Sequence, residues 1–266
     1  MPTAALSGTR RRGRLSNLLL DIPIDVVDYG DVIERVSVWT DFKQRPAAYI
    51  TQANAHSLVT AQKDSVYKEV LLKADISVPD GMPLVWLLRL KGNTLKGRIY
   101  GPDLMLMMCE EAAKKGWRCF MYGGKPGVAE QLKGVLEKQF PGLKIAGTYS
   151  PPFRTMTQEE DEVVCRMINS SKVDILWVAL GSPKQDIWMY EHRDKVDVSV
   201  MHGVGAAFDF LGGQVKQAPR WMMNAGLEWF FRLMMEPRRL WKRYTINNVL
   251  FLYYLLMETI GFRRYG

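Results

Sequence analysis

The sequence predicts an α/β fold, a mostly parallel sheet with helices on both faces, followed by a helical appendage at the C-terminus. Three observations carry this. Short β-branched or aromatic runs alternate with longer segments of helical periodicity. The helical segments are mostly of the ~10–15 residues that a βαβ crossover takes. After "QAPR" (Gln217 to Arg220) the texture changes to helix with aromatics and methionines nearly all round, interrupted by Pro237.

Taken in order, the strands are expected at Ala48–Gln52, Ile76–Val78, Arg118–Tyr122, Lys144–Thr148, Ile175–Ala179 and Val198–His202. Each is a short apolar run, as strands buried on both faces require. The helices are expected at Asp31–Gln44, Ala55–Ala74, Met82–Leu90, Pro102–Lys115, Gly127–Gln139, Thr157–Asn169, Pro183–Arg193 and Ala206–Leu211. The organisation that follows is a basic N-terminal tail over 1–17, a catalytic α/β domain over 18–220 and an appendage over 221–266.

The 266 residues carry a net charge of +8, and its location matters more than its size. The first 20 residues hold four arginines and no acid, and residues 229–266 hold seven Lys/Arg against two Glu, so the body between is close to neutral. A neutral body with two basic ends argues against nucleic-acid binding, where a basic stripe crosses the fold itself. No secretory leader is read at the N-terminus, where the apolar stretch "LSNLLLDIPIDVV" is soon broken by acids and proline. The longest late apolar run, Val249 to Met257, is nine residues, about half of the ~18–20 that a membrane span needs. A soluble or peripheral protein is expected. Three cysteines without CxxC and three histidines without HExxH imply a reduced compartment, no disulfide framework and no zinc site.

In an open α/β sheet, ligands bind beyond the carboxyl ends of the strands. The stretches there are "ANAH", "PDGM", "GGKPG", "GSPKQD" and "GVGAAFD". In "GSPKQD", Ser182 suits an N-cap, Pro183 a first helical position and Gln185 the third partner of a capping box. The same turn, with Gly181 and Lys184, suits an anionic ligand at a helix N-terminus. Gly123 and Gly124 in "GGKPG" permit close backbone approach, although neither a P-loop nor a GxGxxG fingerprint is present. Asp80 in "VPDGM" reads either as an N-cap or as a general base at a strand end. Asn54 reads as a helix cap or as a holder of a sugar hydroxyl, and His56 as structural. Arg98 in "KGRIYGPDL" suits a diphosphate clamp, and Asp103 suits the cap of the helix after Pro102. No two aspartates stand two residues apart, so an Asp-x-Asp metal site is absent and a leaving diphosphate needs Arg, Lys and helix ends instead.

The ordered stretches "QANAHSLVTAQKD", "DGMPLVW", "GPDLM", "MYGGKPGVAE", "ALGSPKQDIWM", "GVGAAFDFLGG" and "GLEWFFRLMMEPRRLWKRY" resemble the bacterial WecG/TagA/CpsF glycosyltransferase family, over roughly Leu18 to Tyr265. The resemblance implies a Rossmann-like core, no metal or other cofactor, and inverting transfer of a sugar from a UDP-sugar to a polyprenyl-diphosphate-linked acceptor. It implies a peripheral enzyme on the cytoplasmic face of the bacterial inner membrane, with the appendage touching the bilayer. By motif, Asp80 falls on the proposed base, Asn54 and Arg98 on active-site positions, and Gln185 on the donor turn. Arg232 and Arg239 fall on arginines that meet the acceptor's diphosphate. Gln52 stands where many members carry threonine, and the family varies in its donor sugar.

Clustered Arg232, Arg239, Lys242 and Arg243 favour a membrane surface for the appendage, with Trp229, Phe230, Phe231, Trp241, Tyr244 and Tyr253 at the interface. The plainer alternative packs those aromatics on the core. The competing functional classes are an NAD or epimerase enzyme, which lacks its fingerprint here, and a non-enzymatic peripheral membrane nucleotide-binding protein. Monomer and homo-oligomer both stay open.

Overall fold

The computed structural model describes residues 9–11 and 14–260. The remainder of the basic tail, with Arg12, and the last arginines, Arg263 and Arg264, lie outside the described residues. The first element is one that the sequence reading does not anticipate. Strands β1 (Thr9–Arg11), β2 (Arg14–Leu19) and β3 (Ile22–Asp25) form an antiparallel ribbon in that order. Its second turn places Leu20 and Asp21 at φ 50° and 63°. Two successive positive φ values suit a hairpin turn, but the usual Asn-Gly signal is missing.

The main sheet contains β4 (Ala48–Ala53), β5 (Ile76–Pro79), β6 (Arg118–Gly123), β7 (Lys144–Tyr149), β8 (Ile175–Ala179) and β9 (Val200–Gly203). All six run parallel in the order β5-β4-β9-β8-β6-β7. The helices of the body are α1 (Tyr29–Asp41), α2 (Ala55–Ala61), α3 (Ser65–Lys73), α4 (Met82–Leu90), α5 (Gly101–Lys115), α6 (Val128–Gln139), α7 (Gln158–Ser170), α8 (Lys184–His192) and α9 (Ala207–Leu211). The appendage is α10 (Arg220–Asn224), α11 (Glu228–Met235) and α12 (Pro237–Thr259). The α/β class is as expected. One expected helix, 55–74, is divided in two, because the Asp64 carboxylate accepts from Tyr67 N at 3.0 Å and starts α3 afresh.

Strand alternation divides the core into two layers. Tyr49, Phe120, Tyr122, Leu176, Val178 and Met201 face α2, α3, α4, α7, α8 and α12. Ile50, Ile76, Val78, Met121, Trp177 and Val200 face α1, α5, α6 and α9. The helix after β8 therefore leaves on one face and the helix after β9 on the other. Such a divergence opens a crevice at the carboxyl ends of neighbouring strands.

The ribbon also closes an edge. β5 is an outer strand, and the Asp25 carboxylate of β3 accepts from Ser77 N at 2.7 Å. A side chain thus takes the place of a further ladder strand. The appendage is fastened along the body, with Phe251 and Tyr254 of α12 buried against the α2 layer. Asn247 lies 2.8 Å from His56 Nδ1, and Glu258 accepts from Leu20 N at 3.4 Å. Of the interface aromatics, Trp229, Phe230, Trp241 and Tyr253 are exposed, whereas Phe231 and Tyr244 are half-buried. Among the described residues no helix is long and apolar enough to cross a membrane.

Asp25→Ala strands the Ser77 N–H in a buried edge and should lower stability by about 2 kcal/mol. Urea denaturation reads this directly, and an unchanged midpoint would show that the edge needs no such cap.

Candidate active site

The crevice is lined from both sides of β9. On one side stand the ends of β4 and β5. Asn54 caps α2, its Oδ1 accepting from Ser57 N at 3.1 Å while Ser57 Oγ accepts from Asn54 N at 2.9 Å. Asp80 N donates to Ala53 O at 2.8 Å, which sets the two residues side by side. The N-cap of α4 is Gly81, without any side-chain cap, so the capping role open to Asp80 is not taken. Its Oδ1 is instead closed off from solvent and has no hydrogen-bond partner. Burial pushes the Asp80 carboxyl up to about 7; Arg98 and Arg232 pull it down, while Glu228 and Asp103 push it up.

Arg98 is held rather than solvated. Ile99 N donates to Pro79 O at 2.9 Å, which lays residues 98–100 along the end of β5. The Arg98 guanidinium lies 4.5 Å over the Tyr100 ring and donates to Glu228 Oε2 at 2.5 Å. Both partners of this pair are nearly buried, 13% and 14% exposed, so solvent screens the pair little. Asp103 corrects another expectation. The N-cap of α5 is Tyr100, without a side-chain cap, and Asp103 instead accepts from both Arg220 nitrogens, at 2.5 and 2.9 Å. A bidentate guanidinium partner outcompetes a cap, and the pair ties α5 to α10.

Beneath them, Gln52 Nε2 lies 2.7 Å from His202 Nε2. Gln52 shares the strand face of Asn54, and a Cβ on Gly101 would sit 3.4 Å from its carboxamide. Burial pushes His202 down to about 3, so the ring is neutral support.

On the other side of β9, the turn after β8 departs from the expected capping box. Pro183 is the N-cap of α8 and no side chain caps the helix. Ser182 Oγ donates to Asp186 Oδ2 at 2.6 Å, and Tyr67 Oη donates to the same oxygen at 2.8 Å. A buried carboxylate needs those protons more than the helix end does. Gln185 is buried, and its Oε1 accepts from Gly181 N at 3.1 Å and Gly205 N at 3.0 Å. It therefore clamps the loops after β8 and β9 together. Lys184 is exposed.

Gly123 and Gly124 serve the fold first. A Cβ on Gly123 would lie 2.5 Å from Ala179 O, and Gly124 N donates to that oxygen at 2.9 Å. The close approach they permit is between β6 and β8.

From the appendage, Arg232 lies 5.5 Å over the Phe210 ring and acts on Asp80 through space. Lys242 lies 5.6 Å over the ring of its neighbour Trp241, on an exposed stretch of α12. Arg239 and Arg243 belong to α12, and their side chains lie outside the described residues. Metal-binding capacity appears elsewhere: Asp161, Cys165 and His192 bring donor atoms within 4.8 Å of one another between α7 and α8. His192 Nε2 already lies 2.7 Å from Asp161 Oδ2.

Tyr100, Glu228, Tyr67 and Asp186 are the site residues that sequence reasoning passed over. Tyr100 and Glu228 sat inside quoted motifs, an aromatic beside an arginine and a lone acid opening a basic segment. Tyr67 gave no local signal, because only the tertiary fold brings it to Ser182 at 2.8 Å.

The arrangement offers a base with a raised affinity for protons and two guanidinium groups for an anionic ligand. A model of the "Glycosyl transferase WecG/TagA/CpsF family" matches residues 17–265. A protein of Bacillus subtilis (strain 168) is 36% identical over 200 residues, 75% of this chain and 76% of its own length. One of Bacillus spizizenii is 36% identical over 205 residues, 77% of each chain. Both are named N-acetylglucosaminyldiphosphoundecaprenol N-acetyl-beta-D-mannosaminyltransferase.

The raised Asp80 carboxyl carries a sign for stability. The folded protein holds this proton more tightly than the unfolded chain, whose ordinary value is 3.8. Its contribution to stability is therefore full at low pH and falls away as pH rises from about 4 to about 7. Asp80→Asn removes that fall, so between about pH 5 and about pH 8 the variant should gain roughly 2–4 kcal/mol on wild type. Denaturation at both pH values tests it; parallel curves would place the carboxyl in water.

Proposed function

The chain belongs to the WecG/TagA/CpsF glycosyltransferase family, and from that premise we propose that it moves a HexNAc or hexose group from a UDP-sugar to a polyprenyl-diphosphate-linked sugar. The observation that carries this reading is the unpartnered, proton-retaining carboxyl of Asp80 at a strand end, with guanidinium groups around it. The names of the two Bacillus relatives support a lipid-diphosphate acceptor and make N-acetylmannosamine the first donor to try.

The reaction is a single inverting displacement without metal. Ionised Asp80 takes the proton of the acceptor hydroxyl, and the acceptor oxygen forms its bond to the anomeric carbon from the face opposite the leaving group. The bond from that carbon to the UDP oxygen breaks, and UDP departs with the electron pair. A base titrating near the working pH combines a sizeable ionised fraction with proton affinity. Arg98, Arg232 and the uncapped start of α8 offset charge on the two diphosphates.

A lipid-linked acceptor calls for a reaction at a membrane, on the cytoplasmic face if the donor is a UDP-sugar, and α12 supports a peripheral seat there. Ile246, Val249, Leu252, Tyr253, Leu256 and Ile260 are exposed at helical spacing. The opposite face, with Asn247, Phe251, Tyr254 and Glu258, is docked on the body. A long apolar stripe left in water is costly for a soluble surface and favourable at a bilayer.

UDP release in the presence of EDTA, with a panel of UDP-sugars and a short polyprenyl-diphosphate-GlcNAc acceptor, tests the reading. Acceptor-dependent release is expected, rising with pH through about 7 as Asp80 ionises. Asp80→Asn should lower it by about 10²–10⁴-fold. UDP binding without release from any donor would return the chain to a binding role. In vesicle sedimentation, Val249→Glu with Leu252→Glu should release the protein from anionic liposomes; unchanged pelleting would sink the α12 seat.

A further inference from the structure

We propose that Glu228, at the start of α11, is a positioning residue for the base: its ion pair holds the Arg98 guanidinium away from Asp80, so that the appendage sets how strong a base Asp80 is. The inference rests on the reading of Asp80 as the base. Its footing is geometric. A half-buried carboxylate beside an arginine ordinarily forms a direct, often bidentate pair. Here Asp80 Oδ1 has no partner, although Arg98 exerts the strongest downward pull on its titration. The guanidinium is directed elsewhere by two contacts, the 2.5 Å bond to Glu228 Oε2 and the 4.5 Å stack on Tyr100. One of those contacts comes from the body and the other from the appendage.

The consequence for basicity is direct. Paired with Arg98, Asp80 would be a settled carboxylate with little affinity for a proton. Held apart, it keeps that affinity. The other groups acting on it are Tyr29 of α1, Tyr100 beside Arg98, Asp103 of α5 and Arg232 of α11. Asp103 is committed to Arg220, so it is not placed to substitute for Glu228, and Arg232, over Phe210, is a cation that cannot pair with Arg98. Withdrawal of α11 would therefore remove the restraint on Arg98 and weaken the base. Proton abstraction is thus at full strength only with the appendage seated.

Side-chain carboxyl ¹³C NMR reads the Asp80 midpoint without requiring turnover, with Asp80→Asn assigning the signal. Glu228→Gln, close to isosteric, should lower that midpoint by about one pH unit. Arg98→Gln should raise it, and in that background Glu228→Gln should have a clearly smaller effect, the remainder being the direct push of the Glu228 charge on Asp80. An unchanged or raised midpoint in Glu228→Gln overturns the proposal, as does an undiminished effect in the Arg98→Gln background. In the UDP-release assay the acid limb should move down by the same amount in Glu228→Gln. Wild type inactive with every donor would defeat the transferase reading, while the NMR midpoints would still decide the role of Glu228.

Discussion

A half-buried carboxyl whose Oδ1 is closed off from water and has no hydrogen-bond donor is disfavoured as an anion, and the groups around Asp80 decide how strongly. The position comes from the sheet. Asp80 continues the alternation of Ile76 and Val78 beneath α5, and the Asp80 N bond to Ala53 O fixes the backbone. That geometry depends on β5 remaining straight at an outer edge, which the Asp25 contact to Ser77 N secures. The N-terminal ribbon thus contributes to the site without touching it.

Asp186 shows what Asp80 avoids. It is buried, and burial raises it to about 6, but Ser182 and Tyr67 both donate to its Oδ2 and pull it down. Its donors make it a fastener: through Ser182 it fixes the turn after β8, while Gln185 joins that turn to Gly205. Two acids near the carboxyl ends of the sheet, Asp80 past β5 and Asp186 on α8, therefore differ in whether donors reach them.

The parallel sheet was legible in the sequence because each strand is a compact apolar run between polar turns, and the β8 run "ILWVA" shows this most plainly. Strand ends then pointed to Asn54, Asp80 and Gly181 without any structure. The β2–β3 pairing was not legible, because its turn at Leu20 and Asp21 has neither Gly nor Asn. Local capping rules misread Ser182 and Asp103, since each found a stronger partner far away in sequence, Asp186 with Tyr67 for one and Arg220 for the other. Local propensity sees neighbours only, so it overcounts caps wherever tertiary charge pairs compete. Arg98 was found as a residue but not as a geometry, because Glu228 lies 130 positions along the chain.

The appendage joins two tasks through the two faces of its helices. On α11, Glu228 and Arg232 stand one turn apart and turn inward to Arg98 and Phe210. Trp229, Phe230 and Met234 of the same helix are exposed. A basic segment bound for an anionic surface has no electrostatic use for an acid at its start, yet Glu228 is there and nearly buried. The acid makes sense on the inward side of the helix, where it pairs with Arg98, the arginine that pulls hardest on the Asp80 carboxyl. The same helix thus presents aromatics to solvent on one side and holds Arg98 near Asp80 on the other.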